Sequence, residues 1–97
     1  MYYTYILYSI KSDAFYKGQT SDVHKRLLRH NNGYEKSTKD SAPWTLHWYT
    51  EKNSRSEAVK LESKLKNLSR NRTILFMLKY KEGILSNQFD FINGFET

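Results

Sequence analysis

The 97-residue chain has no cysteine. That excludes disulfides, thiolate metal sites and a thiol nucleophile. It has one proline and four glycines, so turns are few and the rest of the chain is free to form regular elements. Its three histidines are scattered and show no metal-ligand spacing. No apolar run approaches the length of a membrane span, and the N-terminus lacks a charged-then-apolar signal layout, so a cytoplasmic location with no membrane contact is expected. Acidic residues are the minority charge, ten against sixteen Lys and Arg, for a net +6. A basic domain of this size attracts polyanions, of which nucleic acid is the commonest. A chain this short makes one domain with a thin core, which suits a shallow surface site reading a polymer better than a deep pocket.

What the sequence does have is aromatic residues: eight Tyr, five Phe and two Trp. Residues 1–10 (MYYTYILYSI) are rich in Tyr and Ile and read as a strand, with Tyr3, Tyr5 and Leu7 on one face and Tyr2, Thr4, Ile6 and Tyr8 on the other. After a turn at residues 11–13, residues 14–18 read as a second strand, completing an antiparallel hairpin. Thr20, Ser21 and Asp22 offer N-cap side chains to a helix that runs to about residue 31 and ends at Asn32-Gly33. A polar loop follows to Ala42, and Pro43 stops any helix there. Residues 44–50 (WTLHWYT) read as a third strand.

Ser54 and Glu57 fit a capping box, and Ala58, Leu61, Leu65 and Leu68 give an amphipathic helix. Ser69 caps a further helix carrying Ile74, Leu75, Met77 and Leu78, expected to end near Gly83. The order β-β-α-β-α-α implies an α+β domain over residues 1–83, with a small three-stranded antiparallel sheet flanked by helices. The tail, residues 84–97, carries Phe89, Phe91 and Phe95 and is expected to pack on that domain.

Three groups of residues can carry chemistry. Arg26 and His30 are i and i+4 neighbours on the first helix, about 40° apart around its axis and near the rim of its buried face. A guanidinium fork beside an imidazole suits a phosphate, though both also fit an ordinary basic surface. Glu62 sits near the buried edge of the second long helix. A carboxylate there needs a partner or a cation, which means either a salt bridge to Lys66 or a Mg²⁺ held through one carboxylate. Tyr5 and Tyr16 stand on the paired strands with ten residues between them. A nearby cation lowers a phenol's pKa, so a tyrosine beside Arg26 and a metal can act as a general base; ordinary aromatic packing is the alternative.

The ordered set YTYIL, YKGQTSDVHKRLLRHN, a strand containing Pro43-Trp44, and SEAVKLESKLKNLSR resembles the GIY-YIG nuclease family. It is most similar to the small, single-domain, excision-nuclease-like bacterial members, which suggests a setting in DNA repair. The resemblance spans residues 2–79. Tyr3-Thr4-Tyr5 falls on the family's first tripeptide and Tyr16-Lys17-Gly18 on the second. Arg26 matches the essential arginine, His30 the histidine one turn later, and Glu62 the metal-binding glutamate. The asparagine that some members carry after the glutamate has two candidates, Asn67 and Asn71. Tyr3 stands where the first tripeptide has Gly, and Lys17 where the second has an apolar residue.

The resemblance implies an endonuclease that hydrolyses phosphodiester bonds with Mg²⁺ or Mn²⁺. In it Tyr5 activates or orients water, Tyr16 helps position the phosphate, Arg26 stabilises charge developing on phosphorus, and Glu62 holds the metal. Lys17, Lys25, Arg29 and Lys66 are the expected nucleic-acid contacts. DNA is the expected partner, with RNA not excluded and no obligatory protein partner. With no separate reading module, selectivity for single strands, flaps or branches is expected rather than sequence specificity. The competing reading is a nucleic-acid-binding module that does not cut. Glu62 discriminates, because a carboxylate facing phosphates repels them and serves only an enzyme. A protein-interaction domain using the aromatic tail is a third reading, and it leaves Tyr5, Arg26 and Glu62 without a role.

Overall fold

The computed structural model describes residues 1–85 and 88–94, the side chains of residues 89, 90 and 93 excepted. The chain runs β1 (Tyr2–Ser9), β2 (Ala14–Thr20), α1 (Val23–Asn31), β3 (Thr45–Lys52), α2 (Arg55–Lys66), α3 (Arg70–Lys79) and α4 (Phe89–Gly94), with short 3₁₀ turns at Lys39–Ser41 and Lys81–Gly83. The α+β class and the three-stranded antiparallel sheet are those expected. The strand order is β2-β1-β3, so β1 is central.

A central strand must bury both faces, and β1 is closed from Thr4 to Ser9. On one face Ile6 meets Trp48, Leu65, Ile74, Met77 and Ile92, contributed by β3, α2, α3 and α4. Thr4 also points this way, and its hydroxyl donates to the Ala58 carbonyl at 2.9 Å, which satisfies that buried donor. On the other face Tyr5 and Leu7 pack with Trp44, Tyr16 and Leu27, beneath α1. The sheet thus lies between α1 and the α2–α3 pair, and the two alternating sets of β1 side chains serve two different cores.

Local chemistry sets the element ends. The hairpin turns through Asp13, whose φ of 49° lies in the left-handed region that Asp tolerates. The Asp13 carboxylate accepts from the Tyr8 hydroxyl at 2.6 Å and from Arg70 at 2.9 Å, tying the turn to the start of α3. Of the three offered N-caps of α1, Asp22 is the one used; its carboxylate accepts from the Lys25 N–H. Asn32 caps the other end, and Gly33 follows at φ +80°. Ser54 caps α2 by accepting from the Glu57 N–H, but the return bond from Glu57 goes to the Asn53 N–H rather than to Ser54.

Several boundaries differ from expectation, among them that of β3, which runs Thr45–Lys52 rather than 44–50. β2 continues to Thr20 because β1 offers partners as far as Tyr3. α3 ends at Lys79 and gives way to a 3₁₀ turn rather than running to Gly83. The tail contains a short helix, α4, whose Ile92 is fully buried in the core beside α3. Phe95 and the side chain of Phe89 lie outside the described residues.

Candidate active site

The hairpin register decides which tyrosines meet. Tyr5 pairs with Gly18 and Leu7 with Tyr16, so Tyr5 and Tyr16 are diagonal neighbours on the α1 face. Their ring centroids are 6.4 Å apart. The Tyr5 ring lies directly over Gly18: a Cβ there would sit 2.6 Å from the phenol carbon that carries the hydroxyl. Glycine is therefore required at position 18 by the approach of Tyr5, not by backbone conformation.

α1 crosses this face and inserts His30 between the two phenols, 6.0 Å from the Tyr5 ring and 4.9 Å from the Tyr16 ring. His30 is not at the rim of the helix's buried face, as spacing suggested, but fully buried. The last turn of α1 is tied to the end of the loop 32–44, where Asn31 donates to the Trp44 carbonyl and accepts from the Trp44 N–H. Trp44 in turn packs edge-on to Tyr16 and donates its indole N–H to the Thr38 carbonyl at 2.9 Å.

Inside this enclosure runs a hydrogen-bonded chain. The Tyr5 hydroxyl bonds to His30 Nε2 at 3.0 Å, and His30 Nδ1 bonds to Thr38 Oγ1 at 2.8 Å. The Thr38 hydroxyl reaches the Glu35 carbonyl at 3.3 Å. Arg26, one turn before His30, is the cation near enough to Tyr5 to favour its ionised form.

The electrostatics follow from burial. Tyr5 is 1% exposed. Burial, followed by the neighbouring Tyr16 phenol, pushes its hydroxyl above the ordinary value of 10.0, and Arg26 pulls it only part of the way back. The expected lowering of this phenol by a cation is therefore present in sign but outweighed. His30 is shifted down, first by burial and then by Arg26 and Arg29 against the opposing pull of Glu35, so its imidazole is neutral at pH 7.

α2 brings the carboxylate. Glu62 is largely shielded, with its side chain 18% exposed, and it pairs with Lys66 at 2.9 Å. Lys66 Nζ stands 6.0 Å from the centroid of the Tyr16 ring. The salt bridge read as one alternative from sequence is thus formed, and it sits at the site. Mg²⁺ binds through one or two carboxylates completed by waters and substrate phosphates. Glu62 supplies one hard oxygen donor group, and its half-exposed lysine partner is free to swing out, so the donor set fits such a cation. Among the described residues no group of three or more His, Cys, Asp or Glu side chains gathers, so a cation would depend on Glu62, water and substrate.

The expected nucleic-acid contacts divide. Lys25, Arg26 and Arg29 line one cleft of about 260 Å³ with Thr20, Ser21 and Asp22. Within it Arg29 is bound to Glu35 at 2.9 Å and stands over the Tyr34 ring, which leaves less of its charge to offer. Lys66 is at the Tyr16 edge, as above. Lys17 pairs with Ile6 on the opposite face and is half-buried, with burial depressing its ammonium pKa, so the structure does not bring it to the other residues. Asn67 caps α2, and Asn71 is exposed on α3. Thr38 and Trp44 complete the site, and sequence reading passed over both. Their positions depend on the path of an irregular loop, which carries no periodic signal.

Known proteins resemble this chain over most of its length. A family model described as the GIY-YIG catalytic domain matches residues 1–74. A UPF0213 protein of Staphylococcus saprophyticus is 35% identical over 74 residues, covering 75% of this chain and 89% of that protein. A UPF0213 protein of Halobacterium salinarum is 35% identical over 71 residues, covering 72% and 91%. The solution NMR structure of a UPF0213 protein from Bacillus halodurans aligns with a TM-score of 0.50 at 33% identity, over 86% of this chain and 87% of that one. The names of these relatives state no activity, so activity is a matter for the site itself.

Proposed function

Because this chain belongs to the GIY-YIG catalytic-domain family, we propose that it is a metal-dependent endonuclease that hydrolyses phosphodiester bonds in DNA. The observation that carries this reading is the meeting of Tyr5, His30 and Tyr16 within 4.9–6.4 Å, with Arg26 beside Tyr5 and the Glu62–Lys66 pair at the Tyr16 edge. A binding surface has no use for a buried phenol–imidazole chain.

The geometry supports the following chemistry. Arg26 holds a phosphate oxygen and stabilises the charge that grows on it during attack. Tyr16, the half-exposed phenol, orients the phosphate and the incoming water. Tyr5 cannot serve as a free phenolate, since burial holds its proton on. It can accept a proton from water as it passes its own hydroxyl proton to the neutral Nε2 of His30, so that no buried anion forms. Glu62 would hold the divalent cation, Mg²⁺ or Mn²⁺, which when bound supplies charge stabilisation for the leaving oxygen. Lys66 releases Glu62 in that state and is left free to pair with a substrate phosphate. A shallow site reached from one edge of a three-stranded sheet suits single strands, flaps or branches better than a regular duplex.

The test is a cleavage panel over single-stranded, duplex, flap, junction and RNA substrates with Mg²⁺ or Mn²⁺. Wild type should cut, Glu62→Ala should abolish cutting, and Arg26→Ala should lower it by about 100-fold or more. Tight binding by wild type with no cleavage under any metal, substrate or pH would replace the enzyme by a non-cleaving nucleic-acid binder. In that case Glu62 is the Lys66 partner and nothing more.

A further inference from the structure

Thr38 has no role in the reading above, yet it is 1% exposed and its side chain faces the one imidazole of the site. The polarity of the chain Arg26, Tyr5, His30, Thr38, Glu35 can be worked out from donor inventory. Arg26 is a donor only, so it offers the neighbouring Tyr5 hydroxyl no acceptor. The Tyr5 hydroxyl hydrogen then needs an acceptor of its own, because a buried donor left unmet is strongly unfavourable. His30 Nε2 stands 3.0 Å away and takes it. A neutral imidazole whose Nε2 accepts must carry its hydrogen on Nδ1. That N–H points at Thr38 Oγ1, 2.8 Å away, which accepts it while the Thr38 hydroxyl donates onward to the Glu35 carbonyl at 3.3 Å. The opposite polarity, with Thr38 donating to Nδ1 and Nε2–H donating to Tyr5, would leave the Tyr5 hydroxyl hydrogen without an acceptor among the described residues. One assignment satisfies every group, and the other strands a buried hydroxyl.

We propose that Thr38 is a positioning residue that fixes His30 as its Nδ1–H tautomer, keeping the Nε2 lone pair directed at the Tyr5 hydroxyl. Its consequence for catalysis rests on the nuclease reading; the tautomer itself does not. Thr38 can do this because its own backbone is held. Its carbonyl accepts from the Trp44 indole and its N–H donates to the Glu35 carbonyl, which anchors the backbone from which the hydroxyl reaches His30 and the Glu35 carbonyl. The loop 32–44 thereby becomes part of the site: Trp44 holds Thr38, Thr38 holds His30, and His30 holds Tyr5.

The experiment is ¹⁵N NMR of the imidazole nitrogens in the ¹⁵N-labelled whole chain without metal or DNA, at pH 7.5. In wild type, His30 should show a protonated Nδ1 and an unprotonated Nε2. Thr38→Val keeps the shape and removes the acceptor, and should move the population toward Nε2–H. Thr38→Ser should restore the wild-type pattern. In the cleavage assay Thr38→Val should lower kcat on the order of 10- to 100-fold with KM nearly unchanged, and Thr38→Ser should recover most of it. A wild-type His30 found as Nε2–H overturns the proposal without any variant being made, and so does a Thr38→Val protein that keeps Nδ1–H. If wild type does not cut DNA but His30 is Nδ1–H and responds to Thr38→Val, the nuclease reading has failed and the role of Thr38 stands.

Discussion

A single methyl group tests how closely the sheet and the site are fitted. Gly18 lies under the Tyr5 ring, in an edge strand whose register is fixed by pairing with β1 along its length. Adding a Cβ forces either the ring or the strand to move. The ring is 1% exposed and holds His30, and the strand is hydrogen-bonded along its length, so neither yields cheaply. Gly18→Ala is therefore expected to destabilise the fold by about 1–3 kcal/mol, the usual range for overpacking, although the residue gained normally favours strands more than glycine does. Urea unfolding of the variant against wild type reads this directly. An unchanged midpoint would mean that Tyr5 has room to shift and that Gly18 is not its seat. The same variant should broaden or displace the His30 imidazole signals, since the shift would be passed along the hydrogen bond.

At the level of elements, β3 carries a feature that neither the core nor the site explains. The pairing of β1 with β3 slips between Ile6 and Leu7, so His47 sits in the irregularity of the ladder. Its ring is 2% exposed and is enclosed by Tyr8 of β1, Phe15 of β2 and Phe91 of α4, with centroids 5.2–6.4 Å away. Neither ring nitrogen reaches hydrogen-bond geometry with a described partner. The Thr45 backbone nearby opposes the effect of burial only weakly, and burial lowers the imidazole pKa from 6.5 to about 4. In the unfolded chain the same group titrates at its ordinary value. Above pH 6.5 it is neutral in both states and contributes no pH dependence. As pH falls from 6.5 toward 4, the unfolded state takes up a proton that the folded state refuses, and stability is lost. The full loss is about 3 kcal/mol by pH 4. His30, lowered in the same direction, adds to it. Asp13 and Glu35, both lowered carboxylates, lose their contributions at lower pH, below their ordinary range. His47→Phe should flatten the pH 6.5–4.5 part of the stability curve measured by urea unfolding; a curve as steep as wild type would place the acid sensitivity elsewhere. Features of this kind mark where the sequence stops being legible. Strands and helices could be read because Tyr, Ile and Leu recur with period, and because Asp22, Ser54 and Ser69 are caps whose chemistry is local. Tyr5, Arg26 and Glu62 could be named as candidates, and the family resemblance ordered them into a site. The bulge at His47, the short α4 and the contact of Thr38 with His30 depend on how separate elements meet, and no local pattern encodes that.

Over the whole molecule, +6 is a sum and not a surface. Several basic groups are already paired: Arg29 with Glu35, Lys66 with Glu62, and Arg70 with Asp13. Lys17 is half-buried on the far face of the sheet. If DNA lies along the cleft beside α1 and past Tyr16, the cations that meet phosphates there are Lys25, Arg26 and Lys66, the last once Glu62 lets it go. Each neutralised phosphate of duplex DNA contributes about −0.9 to the slope of log affinity against log salt. Three contacts give an expected slope of about −3, roughly half of what the net charge alone suggests. The measurement is fluorescence anisotropy with labelled DNA on a Glu62→Ala background without metal, where cleavage is blocked and Lys66 is unpaired. Lys25→Ala should reduce the slope by about one. Arg29→Ala should reduce it by less, because Glu35 already holds that guanidinium, and Lys17→Ala should leave it within error. A slope near −6, or an equal effect of all three substitutions, would mean that DNA is bound by diffuse charge over the whole surface and not by the cleft that leads to Arg26 and Tyr5.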